Sequence, residues 1–369
     1  PWRGRAQAHA PARALKRSAK FPSSPSGEAR WRHRSDGTLR HGRGRGCAAV
    51  EAQTEGTPRT SIDFQPPTPD VRLSFAYTRS MSIRRVVAII NQKGGVGKTT
   101  TTANLGAALA RSGLRVCLVD LDPQAHLSLH FGIRPAEDDA TIYDLLLDEH
   151  TVVDDIAIKV DEGLDLIPAE TDLAAAETDL GNLPDKQNRL RRALAASGNR
   201  WDVVLIDCPP SLGILTINAL SAATEVFVPM QAHFLALQGV GKLLETVGLV
   251  CGSVNPSLRV TGIVLCMHES QTTLAREVVE DLEAFLEGCR EQPVPWNRCQ
   301  VLRPPVRRNI KLAEAPSFGQ SILTYDAGSH GAADYLALAE SVTQLWRAPV
   351  SEVEVKVDAS TPEGADSVG

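Results

Sequence analysis

The sequence has no apolar run that approaches the ~18–20 residues a membrane-spanning helix needs. Aromatic residues make up only 5% of it, and its seven cysteines include no Cys-x-x-Cys pair. No histidines stand at the spacing of a zinc site. These absences argue against a membrane protein, a disulfide framework and a structural metal. Because 43% of the residues are hydrophobic, enough for a core, we expect a globular cytoplasmic protein with reduced thiols.

Charge is distributed unevenly along the 369 residues. Residues 1–80 carry 15 Lys and Arg against 6 Asp and Glu, a net charge of +9. The remaining residues carry 24 against 38, a net charge of −14. Since the field of this second part repels phosphate, any contact with nucleic acid there needs a local basic patch.

The most informative stretch is a glycine-rich loop between a strand-like run and a helix-like run. Val86-Val-Ala-Ile-Ile90 is a short β-type run, and Ala103-Asn-Leu-Gly-Ala-Ala-Leu-Ala110 is apolar at helical spacing. Strand, glycine loop and helix form the context that a phosphate-binding loop requires. The candidate nucleotide-binding residues of the loop are Gly94, Gly95, Val96, Gly97, Lys98, Thr99 and Thr100.

The residue types in this loop suit a phosphate ligand. Glycines let the backbone wrap closely round an anion, with N–H groups pointing at it. Lys98 can neutralise phosphate oxygens, and the Thr99 hydroxyl can ligate Mg²⁺. The loop therefore predicts binding of the phosphates of a nucleotide together with Mg²⁺; a plain glycine-rich turn beside a helix is the alternative.

The strict pattern G-x-x-x-x-G-K-[ST] is not met, because Gln92 stands five positions before Gly97. Instead, Lys93-Gly-Gly-Val-Gly-Lys-Thr-Thr100 resembles the deviant Walker A motif of the ParA/MinD group of ATPases. From about residue 81 to about residue 346 the chain resembles the partition branch of that group, ParA/Soj. Further stretches that resemble this branch are Asp120-Leu-Asp-Pro-Gln124, Pro168-Ala-Glu-Thr-Asp-Leu-Ala-Ala-Ala-Glu177, Asp207-Cys-Pro-Pro-Ser-Leu-Gly213 and Ala313-Glu-Ala-Pro-Ser-Phe-Gly319.

The order of the predicted elements indicates the fold class. Alternating strands and helices favour an α/β fold, a doubly wound, mainly parallel sheet with helices on both faces, as in the deviant P-loop NTPases. Besides the strand and helix that flank the glycine loop, the sequence predicts strands at 115–120, 164–168, 202–207, 225–230 and 260–266 and helices at 141–147, from 173, and at 235–249, 273–287 and 332–346.

Three regions are predicted along the chain. We expect a ParA-like ATPase domain at 81–348, followed by a disordered acidic tail at 349–369. Residues 1–80, rich in Arg, Ser, Pro and Gly, are expected to be a disordered basic extension. This extension is open to three interpretations: a nucleic-acid-binding tail, an Arg-rich transit segment, or translated sequence upstream of the native start, which we favour.

Carboxylates follow two of the predicted strands, where ligands bind in open α/β sheets. Asp207 has the position of a Walker B acid, which would hold Mg²⁺ through a water opposite Thr99; a helix N-cap is the alternative. The resemblance implies that Asp122 positions the attacking water, with Asp120 in support. It also implies that Lys93 reaches across a dimer interface to the partner's nucleotide. The predicted catalytic residues are Lys93, Lys98 and Asp122.

The resemblance places the adenine base beside two further segments. They are Met267, after the strand at 260–266, and residues 306–309, which contribute Arg308 and Asn309. Relatives commonly carry Pro-Arg-Asn where this chain has Arg307-Arg308-Asn309, so one proline contact is missing. Plain core packing is the alternative for Met267.

Basic residues also lie in segments that correspond to DNA-contacting regions of ParA relatives. Binding without sequence preference needs only cations placed to meet phosphates. Gln271 stands where relatives often have an arginine, which removes one expected contact. A solvated charged face is the alternative. The candidates are Arg276, Arg303, Arg307, Arg308 and Lys311, of which we predict Arg276, Arg308 and Lys311 to bind DNA.

The resemblance implies an ATPase that partitions chromosomes or plasmids. ATP and Mg²⁺ would drive homodimerisation, the dimer would hold non-specific DNA of the nucleoid, and a ParB-like centromere-binding protein would stimulate hydrolysis and release. A MinD-like ATPase at a membrane is one alternative, but it needs a basic amphipathic helix that residues 352–358 do not resemble, and we expect no membrane partner. Positioning of another cargo and a metabolic or redox enzyme on the same fold are the others.

Overall fold

The structure, a computed structural model, describes residues 84–347. The predicted basic extension at 1–80 and acidic tail at 349–369 lie outside the described residues. The strands within residues 84–347 are β1 (Arg85–Ile89), β2 (Val116–Asp120), β3 (Ile158–Asp161), β4 (Leu164–Ile167), β5 (Val203–Asp207), β6 (Glu225–Met230), β7 (Arg259–Leu265) and β8 (Gln300–Leu302).

Helices connect most of these strands. In the same part of the chain they are α1 (Lys98–Arg111), α2 (His126–His130), α3 (Ile142–Leu147), α4 (Val153–Ile156), α5 (Ala176–Asp179), α6 (Arg189–Ala196), α7 (Ile214–Ala222), α8 (Phe234–Ser253), α9 (Thr273–Gly288), α10 (Lys311–Glu314), α11 (Ile322–Tyr325) and α12 (His330–Arg347). None of these helices combines the length and the apolar character needed to cross a membrane.

The described strands form a single sheet in the order β3-β4-β2-β5-β1-β6-β7-β8. Every neighbouring pair is parallel except β3 and β4, which are antiparallel. The chain winds outward in both directions from β1, which lies between β5 and β6. The predicted doubly wound, mainly parallel α/β fold is therefore confirmed.

The sheet is buried on both faces. Successive residues of a strand point to opposite faces, so each strand contributes side chains to two hydrophobic clusters. In β1, Ala88 packs into one hydrophobic cluster together with Leu215 of α7 and side chains of α6, α8 and α9. The next residue, Ile89, packs into a second cluster with Leu105 of α1 and Tyr335 of α12. This double burial explains why the strands are continuous apolar runs rather than alternating ones.

The structure adds elements that the sequence does not predict, chiefly at the sheet edges. β3 is mostly exposed and carries Lys159 and Asp161, so it lacks an apolar run. β8 has three residues, too few to show a period. The helix predicted from residue 173 is a series of short turns that ends before Pro184, a residue that cannot continue a helix. Helices α6 and α7 also lie outside the predicted set.

Gly262 of β7 offers a test of the packing between the sheet strands. A Cβ at this position would lie 2.5 Å from Leu302 Cδ1 and 3.0 Å from Phe227 Cδ1. Both neighbours are fully buried, so they can move only by displacing the core around them. We expect Gly262→Ala to lower the free energy of unfolding by about 1–3 kcal/mol, measured by urea denaturation.

Gly241→Ala in α8 is the matched control, because a Cβ there meets nothing within 4 Å. Alanine favours the helix over glycine by up to about 1 kcal/mol, so this variant should be as stable as the wild type or slightly more stable. Equal stability of Gly262→Ala and wild type would show that β6, β7 and β8 are packed less closely than described.

Candidate active site

The candidate site lies at the carboxyl ends of neighbouring strands. β1 leads into a glycine loop, defined here as residues 91–97, and the loop leads into α1 at Lys98. Gly95 and Gly97 have φ angles of 72° and 97°, in the left-handed region that favours glycine. A Cβ on Gly97 would lie 3.2 Å from the Sγ of Cys266, which follows β7. The glycine loop is therefore packed closely against the end of β7.

The two lysines of this segment have different surroundings. Lys98 is only 8% exposed, and its Nζ lies 3.5 Å from the carbonyl oxygen of Lys93. Lys93 itself is exposed. One lysine is therefore enclosed by the glycine loop, and the other is presented to solvent.

Asp207, the last residue of β5, is fully buried beside the first turn of α1. Its Oδ2 accepts a hydrogen bond from Thr99 Oγ1 at 2.6 Å, and its Oδ1 accepts one from Thr102 Oγ1 at 3.3 Å. Burial, together with the Asp120 carboxyl, raises the pKa of Asp207 to about 8, although Thr99 and Lys98 act in the opposite direction. The positive charge of Lys98 does not offset the burial of this carboxyl, and a bound cation would add to it.

Two more carboxylates follow β2. Asp120 stands opposite Asp207 in the parallel register and accepts hydrogen bonds from the N–H and Oγ of Ser128, both at 2.8 Å. Burial raises the pKa of Asp120 to about 6, against the effect of these hydrogen bonds. Asp122 is 9% exposed, and its Oδ1 accepts the N–H of Gln124 at 3.0 Å. Hydrogen bonds from Ser128 and Gln124 therefore hold Asp120 and Asp122 in place.

The donor set fits Mg²⁺ held jointly by the protein and by phosphates. Thr99 supplies a hydroxyl and Asp207 a carboxylate, the hard oxygen ligands that Mg²⁺ prefers. Within residues 84–347 no group of three or more His, Cys, Asp or Glu side chains is arranged to hold a metal by itself. A magnesium ion commonly keeps several waters and binds phosphate oxygens, so one hydroxyl and one carboxylate from the protein would suit it.

The two segments predicted to flank adenine are neighbours in the structure. The N–H of His268 donates to the carbonyl of Val306 at 2.9 Å. Met267 is half-buried and has a φ of 49°, unusual for a residue other than glycine. Asn309 has a local role, because its Oδ1 accepts the N–H of Lys311 at 2.9 Å and closes the turn before α10.

The basic residues predicted near DNA are largely neutralised by acids. Arg307 is bound through its N–H, Nε and Nη2 by Asp334, whose side chain is 6% exposed, so this pair is structural. Arg276 lies on α9 among five acids, Glu277, Glu280, Asp281, Glu283 and Glu287. With Arg307–Asp334 included, four ion pairs are described on this surface: Arg303–Glu283, Arg307–Asp334, Arg308–Glu269 and Lys311–Glu314. The surface therefore carries little net positive charge.

Sequence reasoning missed a side chain that touches the glycine loop. Gln231 follows β6 directly, and its Nε2 donates to the carbonyl oxygen of Gly95 at 3.2 Å. The available signal was its position, since it is a polar residue at the carboxyl end of the strand next to β1. Thr102 and Ser128, which bind the buried acids, were also missed because nothing in their local sequence distinguishes them.

This fold and site define a nucleotide-binding α/β protein of the P-loop class. A family model described as an AAA domain matches residues 84–260. The sporulation initiation inhibitor protein Soj of Bacillus subtilis is 44% identical over 258 residues, 70% of this chain and 98% of that protein. The chromosome partitioning protein ParA of Caulobacter vibrioides is 45% identical over 266 residues, 71% of this chain and 95% of that protein.

A solved structure that bears the name of a synthase is also similar to this chain. Cobyrinic acid a,c-diamide synthase from Mycobacterium smegmatis, crystallised with ADP and magnesium, is 38% identical to this chain and superposes on it with a TM-score of 0.60. The match covers 72% of this chain and 96% of the synthase chain. Because the identity to Soj and ParA extends over nearly their whole length, the chain belongs to the ParA/Soj family of ATPases.

Helix α2, which follows the turn that carries Asp122, ends in a buried histidine. His130, its last residue, is 3% exposed, and its Nε2 is buried with no hydrogen-bond partner among the described residues. Just after the helix, Gly132 lies close to Gly319. A Cβ added to Gly132 would be 3.6 Å from the Cα of Gly319. Burial lowers the pKa of His130 from 6.5 to about 4, so the folded protein keeps this imidazole neutral.

The depressed pKa of His130 makes stability depend on pH. The unfolded chain binds the proton more tightly, so this stabilisation is complete above about pH 6.5 and is lost as the pH falls toward 4. Between pH 7 and pH 5 the contribution is about 2 kcal/mol. We expect His130→Gln to lose less stability than wild type over this range in urea denaturation. His150→Gln, at an exposed histidine, should behave as wild type; identical pH profiles for all three proteins would contradict the assignment.

Proposed function

We propose that this chain is a DNA-partition ATPase in which ATP and Mg²⁺ drive dimerisation and non-specific DNA binding. A ParB-like partner would stimulate hydrolysis and thereby release the DNA, in the cytoplasm on the nucleoid. The observation that carries the proposal is the set of Lys98, Thr99 and Asp207 at one glycine loop, with Asp122 near enough to Asp207 to raise its pKa. That set occurs in a chain 44% identical to a protein named Soj.

Each of these groups suits one part of ATP hydrolysis. The N–H groups of the glycine loop and Lys98 would bind the phosphates, and Thr99 and Asp207 are the residues that would hold Mg²⁺. A magnesium ion there would neutralise charge that develops on the γ-phosphate. Asp122, fastened by Gln124 and 9% exposed, would orient the attacking water. Lys93, exposed on the same loop, would reach the nucleotide of a partner copy.

The nucleotide would also need a site for its base, and the proposed function needs a surface that binds DNA. The segments that carry Met267 and Arg308–Asn309 are joined through a bridge between His268 and Arg307, and these residues would flank the adenine. Arg308 and Lys311, 64% and 40% exposed at their side chains, would contact DNA phosphates together with Arg276. Their pairing with Glu269 and Glu314 is the observation that favours the second candidate, an ATPase that positions a protein cargo.

ATP-dependent DNA binding is the decisive experiment for the full chain. We expect binding to duplex DNA of any sequence with Mg²⁺ and ATP, little binding with ADP, and a steep loss of affinity at higher salt. Asp122→Ala should hydrolyse ATP at least 100-fold more slowly, because the water loses its orienting group, yet still bind DNA with ATP. Gel-shift and phosphate-release assays measure both. No binding at low salt would remove the DNA role and favour protein cargo.

Individual phosphate contacts can be counted from the salt dependence. Arg308→Ala should weaken binding several-fold and reduce the slope of log K against log salt by about 1. Arg290→Ala is the matched control, since Arg290 is exposed and paired with Glu287 at the far end of α9. An equal effect of the two variants would mean that Arg308 contributes only general charge.

A further inference from the structure

Gln231 links three segments of the candidate site. Its Nε2 lies 3.2 Å from the carbonyl oxygen of Gly95 and 3.2 Å from the Sδ of Met267. Its Oε1 lies 2.6 Å from the Nε2 of His233, the residue that precedes α8. The glycine loop after β1, the loop after β6 and the loop after β7 therefore meet at one side-chain amide.

The neighbours determine which way this amide points. The carbonyl oxygen of Gly95 accepts hydrogen bonds only, and a thioether sulfur such as that of Met267 is a weak acceptor. Both must face the NH₂ group of Gln231, because the reversed amide would bring its oxygen against the Gly95 oxygen. His233 then donates its Nε2–H to the amide oxygen. All three contacts are satisfied by one orientation of Gln231 and one tautomer of His233.

The glycine loop is not packed directly onto α8 beside this contact. A cavity of about 270 Å³ lies between them, lined by Gln92, Lys93 and Val96 from the loop side and Ala236 and Gly239 from α8. The Nε2 of Gln92 is buried here with no hydrogen-bond partner among the described residues. With open space on this side of the loop, the hydrogen bond from Gln231 restrains the Gly95 carbonyl.

Fixing that carbonyl also fixes the next amide group. In a planar trans peptide the C=O of one residue and the N–H of the next point in opposite directions. The Gly95 carbonyl turned toward Gln231 therefore directs the Val96 N–H to the opposite side of the loop. Glycine at position 95, with φ of 72°, has no side chain to limit its rotation, and a Cβ placed there would meet nothing within 4 Å.

We propose that Gln231 is a positioning residue for nucleotide binding, which holds the Gly95–Val96 peptide so that the Val96 N–H faces the phosphates. This inference rests on the proposed function, because it assumes that the glycine loop binds ATP and ADP. Gln231 touches no phosphate itself. It acts by setting the loop in its binding geometry before the nucleotide arrives, which reduces the ordering cost of binding.

The test compares ADP binding by Gln231→Glu, Gln231→Ala and wild type, with Mg²⁺, by isothermal titration calorimetry. Gln231→Glu keeps the size of the side chain but places an acceptor against the Gly95 oxygen, so we expect affinity for ADP to fall about 10-fold or more. Gln231→Ala removes the hydrogen bond without adding charge, and a loss of about 5-fold is expected. The Tm of the nucleotide-free protein should stay within a degree or two of wild type.

Gln292→Glu is the matched control. Gln292 is exposed and also donates its Nε2 to a glycine carbonyl, that of Gly288 at 2.8 Å, at the end of α9. This variant adds the same charge in the same kind of contact far from the glycine loop, and its affinity for ADP should equal that of wild type.

Several outcomes would overturn the proposal for Gln231. Unchanged ADP affinity in Gln231→Ala, with a loss only in Gln231→Glu, would assign the effect to the added charge. A fall in Tm of the nucleotide-free protein that matches the loss of affinity would make the role structural. Failure of wild type to bind ADP would instead defeat the proposed function, and the calorimetry of wild type alone distinguishes the two failures.

Discussion

The site depends on two buried carboxyls placed side by side by the parallel sheet. β2 and β5 are neighbours in register, and each ends in an aspartate, so Asp120 and Asp207 stand opposite one another with no exposure to solvent. Burial is the main reason why the pKa values of both carboxyls are raised, and the Asp120 charge raises the pKa of Asp207 further. Hydroxyls of Thr99 and Ser128 stabilise the pair, and the remaining deficit of positive charge suits a cation with phosphates.

Local sequence was sufficient for the parts of the site that are contiguous in the chain. The glycine loop, its flanking strand and helix, and the acids at the ends of β2 and β5 all follow from short patterns around Lys98, Asp122 and Asp207. Which acids meet is set by the strand order β2-β5-β1, a property of the sheet that no short pattern contains. Cys266 and Gln231 reach the glycine loop from β7 and β6, so their contacts could not be predicted either.

The acidic partners of the basic surface were likewise invisible to the sequence. Arg308 and Lys311 stand out as cations, but Glu269 lies 39 positions away from Arg308 and meets it only after β7 and the loop after β8 come together. These pairs are exposed, and such pairs contribute only about 0–1 kcal/mol each, so phosphate could replace the carboxylates at small cost. In the proposed DNA-binding role, one copy would attract a duplex weakly, and two copies on the same duplex would add their contacts.

The glycine loop takes its shape from the strands around it more than from its own residues. Thr99, just after the loop, is tied to β5 through Asp207, Gly97 packs on Cys266 at the end of β7, and Gly95 is held by Gln231 after β6. Glycines alone would leave the loop free to adopt many conformations, and ordering them on binding would reduce affinity for a nucleotide. Contacts from three neighbouring strands order the loop during folding, so that nucleotide binding does not have to order it. A loop with Gln92 in place of the usual first glycine can therefore still present its amides to a phosphate.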